Sequence, residues 1–151
     1  MGKKGIVGLV NLGNTCYANT IAQCLLHTAP LTMFFVLGKH TDALKKEGDA
    51  KLVTMHWAQL LNVAFRDADT EAVSPKNFVR VFSTVSHKLN QQGKLTTAFR
   101  VGQQHDAVEF LQFILDMLHA SMATKIEITV RGTPRTRLDQ LMVESYRQYQ
   151  K

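Results

Sequence analysis

The segment DAVEFLQFILDMLH, Asp106 to His119, constrains this chain more than any other. Ala107, Phe110, Leu111, Ile114, Leu115 and Leu118 recur at intervals of three and four, so they share one broad face of an α-helix. A face that wide predicts a central packed helix, and the rest of the chain supplies helices to cover it. Ala18, Ile21, Ala22, Leu25 and Leu26 form the stripe of a helix from about Thr15 to His27. Pro30 ends that region and permits a short second helix through Met33, Phe34 and Leu37. After a polar stretch from His40 to Lys51, Trp57, Leu60, Leu61, Ala64 and Phe65 make the seam of a helix from about Val53 to Arg66. Ser74-Pro75 predicts a helix start, with a serine cap and proline at the first helical position, ahead of Phe78, Val79, Phe82 and Val85. Ile126, Ile128 and Val130 alternate with polar residues, which suggests one short strand without a partner nearby. Leu138, Leu141, Met142 and Tyr146 predict a last helix. The expected fold class is mainly α, with five or six helices.

At 151 residues and 45% hydrophobic composition, the chain has the size of one domain that buries its own core. No run approaches 18 apolar residues, which excludes a membrane-spanning helix, and the apolar part of MGKKGIVG is too short for a signal peptide. Cys16 and Cys24 are eight residues apart in one predicted helix, so their backbones lie roughly 12 Å apart, too far for a disulfide. Two free thiols suit a reducing compartment, the cytoplasm or the nucleus. No CxxC pair is present, and neither a metal nor another cofactor is expected. The formal charge of +6 reads as scattered. Its densest group, RGTPRTR around Arg131, Arg135 and Arg137, reads as a solvated loop rather than a nucleic-acid patch, because no aromatic platform or zinc-finger spacing accompanies it.

Cys16 stands where a glycine- and asparagine-rich loop, GLVNLGN, runs into a helix. The orphan N–H groups at a helix start favour a thiolate, which suits a nucleophile. Asn11, five residues upstream, carries an amide able to donate to an oxygen that gains charge during acyl transfer. Spacing leaves two readings open: a nucleophile, or a plain buried or capping cysteine. Cys24 reads as a small core residue.

GLVNLGNTCYANTIAQCL resembles the cysteine box of the ubiquitin-specific proteases, papain-like cysteine deubiquitinases. GQQHDAVEFLQFILDMLH resembles the glutamine-aspartate box that follows in that family, and SPKNFVRVF between them resembles the segment before it. The resemblance is strongest from about Gly5 to His119, and residues 120–151 add a strand and a helix. It implies that Cys16 is the nucleophile, that Asn11 lines the oxyanion site, and that Asp106 holds the arginine-containing tail of ubiquitin. Gln104 and Glu109 match motif positions with a supporting role. It also implies the helical subdomain of a papain-like fold, without the β-rich fingers and palm, so residues 1–151 are expected to form part of a catalytic domain. In that family the base histidine lies in a C-terminal box with no counterpart here. His27 is eleven residues along the helix from Cys16, about 16 Å away, and His105 reads as a packing or hydrogen-bonding residue rather than a base. The expected function is therefore the N-terminal half of a thiol-dependent deubiquitinase. The alternative is an inactive ubiquitin-binding or scaffold remnant, and an unrelated helical domain is a third reading. The implied partners are ubiquitin or a ubiquitin-like protein and the remaining part of the catalytic domain; neither nucleic acid nor membrane is expected.

Overall fold

A computed structural model describes residues 5–66, 71–124 and 133–149. In chain order the elements are β1 (Gly8–Leu9), α1 (Cys16–Leu26), α2 (Ala29–Val36), α3 (His40–Ala43), α4 (Asp49–Arg66), β2 (Ala72–Val73), α5 (Lys76–Gln91), α6 (Ala107–Met122) and α7 (Arg137–Tyr149). The mainly α class is therefore found. No helix among the described residues is long and apolar enough to cross a membrane.

Helix α4 is the centre. It packs against both α5 and α6, while α1 leans on α6 and α2 on α4. Four of the five expected seam residues, Trp57, Leu60, Leu61 and Ala64, are buried, with Val53 beside them, while Phe65 at the helix end is only partly buried. On α6 the buried residues are Phe110, Phe113, Ile114, Leu118 and Ser121, with Ala107 partly buried in phase. Here the expected face needs correcting, because Leu115 is 45% exposed and Phe113 takes the core position. Both fit an apolar helical period, and the partner helices decide which edge of a broad face is covered.

Aromatic rings join α1, α5 and α6. Phe110 meets Tyr17, Phe82 and Phe99 edge-on, with centroids 5.3, 4.8 and 5.3 Å away. Each large side chain removed from water contributes about 1.5–3 kcal/mol, so this cluster is a main source of cohesion. Phe99 comes from the polar loop before α6. Its backbone N–H donates to the buried Ser86 Oγ at 3.0 Å, which satisfies a donor that would otherwise be stranded.

Four local expectations change. The polar stretch from His40 to Lys51 holds α3 and the first residues of α4, so seven helices stand among the described residues where five or six were expected. Ser74 does not cap α5; Pro75 precedes the first helical residue, and its carbonyl accepts from Val79 N–H at 2.9 Å. Gly8–Leu9, read as loop, pairs in parallel with Ala72–Val73, in the register Gly8 to Ala72 and Leu9 to Val73. Two-residue strands show no periodicity, so only the encounter with a partner defines them. Helix α7 forms, but Leu138, Leu141 and Met142 are all exposed. The strand expected at Ile126, Ile128 and Val130 lies outside the described residues.

Candidate active site

The loop from Val10 to Thr15 is shaped by one amide. Asn11 Oδ1 accepts from Gly13 N–H at 3.0 Å, Thr15 N–H at 3.3 Å and the Thr15 hydroxyl at 3.1 Å. Two of these donors are backbone N–H groups that cannot accept, so the oxygen faces into the loop and Nδ2 is left as a donor. Thr15, almost wholly buried, also accepts from Leu12 N–H at 3.0 Å. The chain reverses through left-handed conformations at Gly13 and Asn14, with φ of 93° and 53°. Asparagine tolerates that region better than most residues do. Helix α1 secures the approach from the other side: Asn19 Nδ2 donates to the Leu9 and Val10 carbonyls and Gln23 Nε2 to the Val7 carbonyl.

Cys16 is the first residue of α1 and is exposed. Its neighbour Tyr17 turns inward, edge-on to Phe110 and to His105 at 5.2 Å. Burial, with a smaller contribution from the charge of Cys16, pushes the Tyr17 phenol up to about 12. The hydroxyl therefore stays protonated beside the thiol. Cys24 is exposed as well, which corrects its reading as a core residue. It lies on the flank of α1, just outside the stripe of Ala18, Ile21, Leu25 and their neighbours.

The second sequence block meets the first here. Asn14 Nδ2 donates to the Gly102 carbonyl at 2.8 Å, across 88 residues of chain. His105 Nε2 accepts from Arg100 N–H at 3.0 Å while its ring packs on Tyr17 and Phe99. An accepting Nε2 leaves Nδ1 as the ring's donor. His105 is thus a packing and hydrogen-bonding residue, as expected.

Asp106 has a role the sequence reading did not assign. It caps α6, with Oδ1 accepting from Val108 N–H at 2.7 Å and Glu109 N–H at 3.0 Å. Its Oδ2 has no hydrogen-bond partner among the described residues. The signal was present, since an aspartate directly before a periodic apolar run is a helix-start pattern. Glu109 accepts from the Thr97 hydroxyl at 2.9 Å and ties α6 to the preceding loop. Gln104 is exposed, and its side chain makes no hydrogen bond among the described residues. Asn14, Tyr17, Phe99 and Gly102 join the two blocks and were not anticipated; the Gly13-Asn14 pair was the one local turn signal. Because asparagine caps as well as aspartate, Asp106→Asn should keep the melting temperature of the chain. Asp106→Ala should lower it by roughly 2–4 °C, for a cap worth about 1 kcal/mol. Equal melting of the two variants in a calorimeter would remove the capping role.

Among the described residues no cluster of three or more histidine, cysteine or acidic side chains is arranged to hold a metal. The family model described as ubiquitin carboxyl-terminal hydrolase matches residues 7–151. The ubiquitin carboxyl-terminal hydrolase cyk-3 of Caenorhabditis elegans is 37% identical over 126 residues, 80% of this chain and 10% of that protein. The probable ubiquitin carboxyl-terminal hydrolase 1 of Schizosaccharomyces pombe is 34% identical, over 78% of this chain and 13% of its own. For ubiquitin carboxyl-terminal hydrolase 4 of Mus musculus the identity is 35%, over 78% and 11%. The chain thus spans about a tenth of the length of these relatives. Among solved structures, the SAGA Ubp8/Sgf11/Sus1/Sgf73 DUB module bound to ubiquitin aldehyde matches with a TM-score of 0.58 and 24% identity. That match covers 83% of this chain and 28% of the other, and it is a likeness of fold.

Proposed function

Because the chain belongs to the ubiquitin carboxyl-terminal hydrolase family, we propose that it carries the nucleophile-bearing part of a thiol-dependent deubiquitinase. Cys16 Sγ adds to the carbonyl carbon of ubiquitin's C-terminal glycine, and the bond to the leaving amine breaks as that nitrogen takes a proton. Water then attacks the thioester, releasing the carboxylate and restoring the thiol. Asn11 Nδ2, freed by the three bonds that fix its oxygen, donates to the carbonyl oxygen as it gains charge. Asp106 Oδ2 receives the arginine of the ubiquitin tail while Oδ1 keeps the helix cap, and Gln104 and Glu109 support that approach. The partner is ubiquitin or a ubiquitin-like protein, a reading supported by the ubiquitin aldehyde bound to the DUB module of similar fold. The setting is the cytoplasm, the nucleus or both, where thiols stay reduced.

The observation that carries this reading is the exposed thiol at the first residue of α1, set behind the Asn11 loop. It is tested with ubiquitin bearing a C-terminal vinyl sulfone, an electrophile that traps a thiol without a leaving amine. The expected adduct maps by mass spectrometry to Cys16, disappears in Cys16→Ala and persists in Cys24→Ala. An adduct on Cys24, or one that survives in Cys16→Ala, would sink the assignment.

A further inference from the structure

The net charge of this chain is concentrated in one stretch. Between Glu71 and Asp106 there is no carboxylate, yet Lys76, Arg80, Lys88, Lys94 and Arg100 all fall there. Those five account for most of the +6; the remaining 13 basic residues, 18 less 5, nearly balance the 12 acidic ones. This corrects the reading of the basic residues as scattered. Most of the stretch is α5, whose spacing lines up Lys76, Arg80, Thr84, His87 and Gln91 as one exposed ridge. Sixteen helical residues make that ridge roughly 22 Å long. Lys88, on its flank, is paired with Asp49 at 2.8 Å; Lys76 and Arg80 have no ion-pair partner among the described residues.

A cleft of about 360 Å³ opens beside the first turn of the same helix. Leu60, Val63, Val73 and Phe78 give it an apolar floor, while Asn62 and Asn77 supply polar groups at its edge. Val63 is 47% exposed, so the floor reaches solvent. A cationic ridge that begins at Lys76, next in sequence to the cleft-lining Pro75 and Asn77, matches a ligand with negative charges followed by one apolar side chain. We propose that this surface docks an acidic peptide segment of a partner protein, its carboxylates along Lys76 and Arg80 and one apolar side chain in the cleft. A single-stranded nucleic acid fits less well, because none of the large exposed apolar side chains is aromatic and a stacking platform is missing among the described residues. The inference does not rest on the Cys16 site, and a Cys16→Ala chain should bind equally.

The test is fluorescence anisotropy of the 151-residue chain with a labelled peptide of four glutamates followed by one phenylalanine. Binding is expected, and it should weaken as salt is raised from about 50 to 300 mM. Lys76→Glu combined with Arg80→Glu should weaken it by about tenfold, two reversed contacts at surface magnitude. Lys39→Glu combined with Lys46→Glu, with the same change in net charge elsewhere, should leave it within about twofold. Replacing the peptide's phenylalanine by glycine should also cost several-fold in affinity. The substituted side chains are exposed, and circular dichroism checks that each variant stays folded; Lys76→Gln with Arg80→Gln provides a milder second pair. The proposal is overturned by absence of binding, by equal losses in the two charge-reversed pairs, or by indifference to the phenylalanine. Tighter binding of an oligonucleotide of equal charge overturns it too, in favour of a nucleic-acid surface.

Discussion

Incubated with a fluorogenic ubiquitin C-terminal amide, the 151-residue chain should release fluorophore no faster than its Cys16→Ala variant. The thiol is in place, and each histidine of the chain is engaged elsewhere or far along its helix. An amine leaves only when something protonates it, and a positioned imidazole typically contributes about 10²–10⁴-fold through such transfers. All six histidines fall within the described residues. His105 is the one beside the site, and its Nε2 is committed to Arg100 N–H. His27 bonds through Nδ1 to the Gln23 carbonyl, about 16 Å along α1 from Cys16. His56 and His87 are held on α4 and α5 by Leu52 and Gln91, and His40 is buried against Phe35. His119 sits in the last turn of α6, at the far end of that helix from Asp106. Turnover that vanishes in Cys16→Ala would overturn this expectation. Its further loss in His105→Ala would identify the ring that must rotate away from Arg100 to act as base.

The second large effect is on stability. Phe110→Ala should destabilise the chain by about 3–5 kcal/mol, because it empties the centre of the aromatic cluster and the rings around it belong to different segments. Tyr17, Phe82 and Phe99 come from α1, α5 and the loop before α6, and none can fill the space without leaving its own contacts. Domains hold together by only about 5–15 kcal/mol in total, so much of the stability would go. The melting temperature should fall by about ten degrees or more. Leu115→Ala, on the same helix but 45% exposed, should stay within about 0.5 kcal/mol of the parent. If thermal denaturation shows the two variants losing equally, α6 does not pack through Phe110. The cluster also carries His105 and Tyr17, so Phe110→Ala should loosen the site as it loosens the core.

The sequence by itself determined six of the seven described helices, all but α3, and the register in which most of them bury their faces. The stripe of α1, the seam of α4 and the faces of α5 and α6 each follow from a 3.6-residue period, a local property that every few residues report anew. It determined Cys16 at a helix start for the same reason, and the resemblance of the two blocks led to the family. The absence of carboxylates between Glu71 and Asp106 was equally legible, but it became a surface only when α5 turned those residues to one side. Tertiary structure alone decided whatever needs two distant segments. The β1–β2 pair joins Gly8 to Ala72, Asn14 reaches Gly102, and Glu109 takes the Thr97 hydroxyl rather than closing its own helix start. It also chose Phe113 over Leu115 for the core and left Cys24 outside. A period specifies which residues share a face; only the neighbouring elements, through the water they exclude, specify which edge of that face is covered.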